Sequence, residues 1–314
     1  MGRHSRFRKK FIRSLAGCYV FFKVVGSKPR YRNVFIGCLV GIVLVIVASI
    51  GIVHADKYKF STEAQYESLR EDFVVESKNI EVEKDDVRTK EEIDEDARWS
   101  EAVWSMEQDA DDALWYGAIN VDLERLKEVS SDIIGWIYFE AADISYPVLN
   151  SGNNDTYLRA TYDGQYATAG SIFMEEQNKK DFSDKHTLIY GHNMRNNTMF
   201  GQLKLYKTDE DYYSNHQYFQ LIHLDPGTGD VVKERYHIFA CKDVAETDYV
   251  YQIFPAEYTG IADFANKIRQ GNYLKGAGEI TVGDDGKIIT LSTCSSGDNR
   301  FIVSAVKCGE CIVR

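Results

Sequence analysis

TLSTCSSGDNRFIV, residues 290–303, consists of two short apolar runs around a small polar loop. Period-two alternation assigns Ile288, Thr290, Ser292 and Cys294 to one face of a strand and Ile289, Leu291 and Thr293 to the other. The strand ends on a thiol where the ladder gives way to the loop Ser295–Asn299, and the second run begins behind Arg300. Comparable runs at Ile133–Phe139, Ile144–Leu149, Gly170–Met174, Thr187–Tyr190, Tyr236–Cys241 and Phe301–Val306 are separated by turn residues. Within this strand-bearing part, helical spacing is confined to a short capped segment, Asp122–Val129, and to Ile261, Phe264, Ala265 and Ile268. Many strands with an occasional helix, no βαβ rhythm and no internal repeat predict a mainly β barrel or sandwich.

A thiol at a strand end can meet a substrate, but at an unperturbed pKa of about 8.5 little of it is thiolate at neutral pH. A neighbouring charge or proton acceptor is therefore required. Arg300 either folds back toward Cys294, where its permanent cation stabilises a developing oxyanion, or forms a surface ion pair with Asp298. Among the histidines, His192 stands out. The apolar strand Thr187–Tyr190 and a bend at Gly191 bring it to a strand exit among polar groups. His186, His216, His223 and His237 occupy less distinctive settings, in which a histidine is ordinarily structural.

The flanking chain is strongly asymmetric in charge. Residues 1–33 hold ten Lys or Arg and no acid, which leaves 27 basic against 48 acidic residues, a net of −21, in the remainder. Val34–Val53 is twenty residues without a charge, about 30 Å long as a helix, which predicts a membrane anchor with the basic arm cytoplasmic and the rest outside. Small residues near His54 also suit a cleaved signal peptide, but the run exceeds the 7–15 residues usual for one. The expected organisation is a basic arm (1–33), an anchor (34–53), an acidic, partly helical spacer (54–118) and a catalytic domain (119–314). Trp99, Trp104 and Trp115 in the spacer are expected to pack onto that domain. Cys308 and Cys311 have metal-ligand spacing but lack two further ligands nearby, so no metal or other cofactor is expected.

TLSTC with Arg300, and HTLIYGHNM at 186–194, resemble the sortases, cysteine transpeptidases of Gram-positive bacterial surfaces. Asp132–Ile137, Tyr146-Pro-Val148, Asn154–Leu158 and Ala169–Met174 are similar to class B members, and the resemblance covers about residues 119–307. It implies an eight-stranded β-barrel with N-terminal helices and a helix between the sixth and seventh strands. Cys294, His192 and Arg300 would meet at one end of that barrel. In the family the cysteine attacks a threonine carbonyl of a C-terminal sorting signal, the histidine protonates the departing amine and the arginine stabilises the oxyanion. By motif position, the sorting-signal groove would include Asn154, Leu158, Tyr190, Tyr249, Val250 and Ser292. Ser295 departs from relatives that carry an acid after the nucleophile.

The partners so implied are surface proteins with a sorting signal and a peptidoglycan amine, with a pilin lysine as the alternative acceptor and no nucleic acid. A papain-like wall peptidase is the rival chemistry, but such enzymes place their cysteine at a helix start, whereas Cys294 ends a strand.

Overall fold

A computed structural model describes residues 29–76, 115–277, 280–294 and 299–313. The basic arm through residue 28, the acidic runs Glu81–Asp86 and Glu91–Asp96, Trp99, Trp104, the loop 295–298 and the side chain of Cys294 lie outside the described residues. The chain divides into two units, Met1–Tyr58 and Lys59–Arg314.

Helix α1 (Pro29–Phe73) leads into a two-stranded sheet of β1 (Val74–Glu76) and β2 (Ile119–Val121). Helix α2 (Leu123–Val129) starts on Asp122, whose carboxylate accepts from the Arg125 backbone N–H at 3.1 Å, an ordinary N-cap. Eight further strands follow: β3 (Ile133–Phe139), β4 (Ser145–Leu149), β5 (Ile172–Met174), β6 (His186–Tyr190), β7 (Tyr218–Leu224), β8 (Val231–Ala245), β9 (Ile288–Cys294) and β10 (Asn299–Val313). Short helices α3 (Leu205–Thr208) and α4 (Tyr212–Asn215) precede β7, and α5 (Ile261–Arg269) precedes β9.

These eight strands close into a barrel in the order β10-β8-β7-β3-β4-β5-β6-β9. Closure removes the exposed edges that an open sheet would present. Two neighbouring pairs, β4–β5 and β6–β9, are parallel. Parallel neighbours cannot be joined by a tight turn, so β4 and β5 are linked by a long crossover, which supplies one loop of the functional rim, whereas β6 and β9 are separated in sequence by β7 and β8.

The alternation read in β9 is realised on two sides. Ile289 and Leu291 join the main core with Trp136, Phe219 and Tyr236. Ile288 joins a second cluster, in which α5 presses Ile261, Phe264, Ala265 and Ile268 onto Phe239 and Ile302. The Phe219 ring stacks between Phe139 and Tyr236 at centroid distances of 5.1 and 5.3 Å. Trp115 lies against β10, where a Cβ on Gly309 would come within 3.1 Å of its ring.

One sequence expectation is corrected. Among the described residues no helix is long and apolar enough to cross a membrane. This overturns the location at the cell membrane and leaves the anchor assigned to Val34–Val53 and the membrane as a partner without support. The uncharged run is one part of a 45-residue helix, Pro29–Phe73, that carries Arg30 and Arg32 before it and Asp56, Lys57, Lys59 and Glu63 after it.

A buried polar relay links the parallel pair to β10. The His186 ring is fully buried; its Nδ1 lies 2.6 Å from the Gln252 carbonyl and its Nε2 lies 2.9 Å from Thr290 Oγ1, which is 2.8 Å from Ser304 Oγ. A carbonyl only accepts, so Nδ1 carries the hydrogen and neutral Nε2 accepts from Thr290. Burial lowers the ring's pKa from 6.5 to about 4. As pH falls, the unfolded chain binds this proton first, so the stability present above pH 6.5 is lost between 6.5 and 4, at about 1.4 kcal/mol per pH unit. Between pH 7.5 and 5.0, urea unfolding of the wild type should therefore lose about 2 kcal/mol more than that of His186→Asn, which keeps an amide donor but does not titrate. Equal losses would contradict a neutral buried ring.

Candidate active site

The C-terminal ends of β6 and β9 lie side by side because the two strands run parallel with Tyr190 opposite Ser292. The chain leaves β6 through Gly191, whose N–H donates to the Ser292 carbonyl at 3.1 Å, and passes directly to His192. A side chain at Gly191 does not fit. Its Cβ would press into Ile172 and lie 2.6 Å from Phe200 Cδ2. On the other side of β9, the antiparallel strand β10 places Arg300 directly opposite Cys294, a pairing in which Cα atoms are about 4.5–5.5 Å apart.

His192 Nε2 lies 2.7 Å from the carbonyl oxygen of Leu158. That oxygen can only accept, so Nε2 holds a hydrogen and Nδ1 is the atom at which the ring gains or loses its proton. Leu158 ends a single 3₁₀ turn, Thr156–Leu158, within the β4–β5 crossover. The turn is fastened to the barrel by the Tyr157 hydroxyl, which donates to Asp132 Oδ2 at 2.7 Å. Gly170 passes closely beneath it with φ +56°, and a Cβ there would sit 2.7 Å from the Leu158 oxygen. The loop after His192 is anchored by the Met199 N–H, which donates to the Tyr146 hydroxyl at 3.1 Å.

Asn154, Leu158, Tyr190, His192, Ser292 and Arg300 line one cleft of about 210 Å³, together with Phe173 and Thr293. An adjoining polar chamber of about 310 Å³ shares Tyr190 and Arg300 and adds Glu175, Gln177, Glu246 and Tyr251. The Asn154 amide donates to Glu175 Oε1 and the Tyr190 hydroxyl to Glu175 Oε2, each at 2.8 Å. Burial, and then the Glu175 charge, push the Tyr190 phenol well above its usual pKa, so it remains a neutral donor. Ser292 Oγ lies 2.9 Å from the Tyr251 hydroxyl, whose pKa is also raised by burial. Arg300 pairs with Glu246, beyond the end of β8, through one guanidinium nitrogen. The ion pair considered with Asp298 falls outside the described residues.

Two expected groove residues are not brought to this cleft. Val250 is fully buried in the cluster beneath α5, and the Tyr249 hydroxyl donates to the Lys267 carbonyl of that helix. Residues 249–251 form one 3₁₀ turn, so three consecutive side chains diverge by about 120°, and Tyr251 is the one that reaches Ser292. Tyr251, Glu175 and Glu246 were not singled out from sequence, where nothing in their local spacing marks them. Among the described residues no group of three His, Cys, Asp or Glu converges to hold a metal ion.

Residues 137–308 match the family model described as the sortase domain. Sortase B of Listeria monocytogenes is 33% identical over 180 residues, covering 57% of this chain and 70% of its own length. Among solved structures, a Staphylococcus aureus sortase B–substrate complex is similar at a TM-score of 0.52 and 26% identity, over 59% of this chain and 84% of that one. A Streptococcus pyogenes class B sortase involved in pilus biogenesis is similar at 0.51 and 28% identity, over 60% and 98% respectively.

Overpacking at the strand exit should be measurable. Gly191→Ala is expected to lower the free energy of unfolding by about 1–3 kcal/mol in urea titration. An unchanged midpoint would mean that the approach of Ile172 and Phe200 to Gly191 is looser than described.

Proposed function

The chain belongs to the sortase family, and from that premise we propose that it is a cysteine transpeptidase that cleaves a C-terminal sorting signal after its threonine and transfers the shortened protein to a peptidoglycan amine. The observation that carries this reading is the register of β9, held between Tyr190 on β6 and Arg300 on β10. It gathers a thiol-bearing strand end, a histidine-bearing strand exit and a cation at one rim.

In this reading the Cys294 thiolate adds to the threonine carbonyl carbon, and negative charge develops on the carbonyl oxygen. Arg300 commits one nitrogen to Glu246 and retains other N–H donors for that oxygen. Collapse of the adduct breaks the C–N bond, and the departing amine takes a proton from His192 Nδ1, leaving a thioester on Cys294. A second amine then gives its proton to His192, attacks the thioester carbon and expels the thiolate. Leu158 and Phe173 offer the apolar side of the cleft to the peptide, and Asn154, Tyr190 and Ser292 the polar side. The involvement of the S. pyogenes relative in pilus biogenesis makes a pilin lysine the second acceptor to test.

The full chain, incubated with sorting-signal peptides and either a cross-bridge amine or a pilin, should form a thioester that Cys294→Ala cannot form. Product linked only through pilin lysine would replace wall anchoring with pilus assembly. His192→Ala should lower turnover by about 10²–10⁴ and Arg300→Ala by about 10²–10³, with the fold intact by circular dichroism. Near-normal rates in either variant would remove that residue from its role.

A further inference from the structure

Glu175 follows β5 directly, and its backbone N–H donates to the Leu188 carbonyl of β6 at 3.0 Å, so its Cα is held by the barrel wall. The residue is buried at 7% exposure, and its carboxylate is met by neutral donors. Oε1 accepts from Asn154 Nδ2 at 2.8 Å and from the Gln177 N–H at 3.4 Å, and Oε2 accepts from the Tyr190 hydroxyl at 2.8 Å. Asn154 is gripped from its other side as well, because its Oδ1 accepts from the Glu176 N–H at 2.8 Å.

These contacts span one seam. On one side is the crossover segment Asn154–Leu158 and on the other the strand exit Tyr190–His192. The His192–Leu158 hydrogen bond closes the seam at one point. Glu175 closes it at a second point, four residues before Leu158 and two before His192. A buried carboxylate costs desolvation that an apolar residue would avoid. What it supplies is one oxygen for each side of the seam, which fixes their separation in a way that apolar packing cannot.

We propose that Glu175 is a positioning residue for His192. It acts through Asn154 and Tyr190 to hold the Leu158 carbonyl against Nε2, and it thereby sets both the width of the cleft and the ring nitrogen that exchanges protons. This rests on the proposed transpeptidase reading for its kinetic consequence, but its structural consequence can be measured without any turnover.

The test uses the full chain with ¹⁵N-labelled histidine. In the wild type, long-range ¹H–¹⁵N spectra of the His192 ring, assigned by their loss in His192→Ala, should show one tautomer with hydrogen on Nε2. Glu175→Ala should move both ring nitrogens toward the tautomer average. With a sorting-signal peptide the same variant should lower kcat at least about tenfold while KM changes less than about threefold. In an Asn154→Ala/Tyr190→Phe background, Glu175→Ala should add less than about twofold, because its route to His192 is already cut.

A folded Glu175→Ala protein with an unmoved His192 signal, or with losses that multiply in that background, would overturn the proposal. Should Glu175→Ala not fold, Tyr190→Phe, which deletes one hydroxyl, serves instead, and an unmoved ring signal there overturns it equally. Absence of turnover with every peptide in the wild type would defeat the transpeptidase reading, while the ring spectra would still decide the role of Glu175.

Discussion

In the parallel ladder between β6 and β9, Tyr190 lies opposite Ser292, and every feature of the cleft depends on that register. Side chains alternate along a strand, so a slip of one residue would turn Ser292 away and expose Ile289 and Leu291. Barrel closure guards against such a slip, because β9 is also held by seven paired positions on β10. The buried His186–Thr290–Ser304 relay adds a polar lock across the same three strands. Apolar contacts tolerate sliding, whereas a neutral imidazole with one donor and one acceptor is satisfied in one register only.

Two carboxylates serve the cleft in different ways. Glu175 is buried, is met by neutral donors and joins two segments of chain. Glu246 is more than half exposed and engages the Arg300 cation. An exposed ion pair contributes at most about 1 kcal/mol, so it can hold the guanidinium near the cleft without preventing the fork from turning its remaining donors into it. Placed in the interior, the same pair would bind the arginine more firmly. The carboxylate beside Arg300 comes from beyond the end of β8.

The barrel places its charges with similar economy. Glu234 on β8 is buried yet held at a pKa of about 2, because Lys287 and Lys307 lie 2.8 and 3.1 Å away and outweigh the desolvation that would raise it. Arg235 pairs with Glu140 at 2.7 Å, and Lys233 donates to the Tyr116 and Ile119 carbonyls at 2.6 and 2.7 Å, which fixes the approach of β2 to the barrel. These buried ions occupy three consecutive positions of one strand, and each is satisfied by a segment distant in sequence.

That strand marks the boundary between what was legible and what was not. Period-two alternation identified β3, β9 and the centre of β10, and period 3.6 identified α5, because both patterns are local consequences of one buried face. β8 was read only from Tyr236, since Lys233, Glu234 and Arg235 look like solvated positions until their partners are known, and β7, with Gln220 and His223 buried, was not read at all. A count of uncharged residues likewise does not record the 45-residue helix, Pro29–Phe73, in which the stretch 34–53 lies. The sequence by itself determined a mainly β chain of the sortase family, with His192, Cys294 and Arg300 as the residues to examine. Only the tertiary structure decided that Leu158 supplies the carbonyl for His192, that Glu246 partners Arg300, that Tyr251 reaches Ser292 in place of Tyr249, and that Glu175 spans the seam. These contacts join residues 15 to 54 positions apart across strand crossovers, and no local periodicity records them.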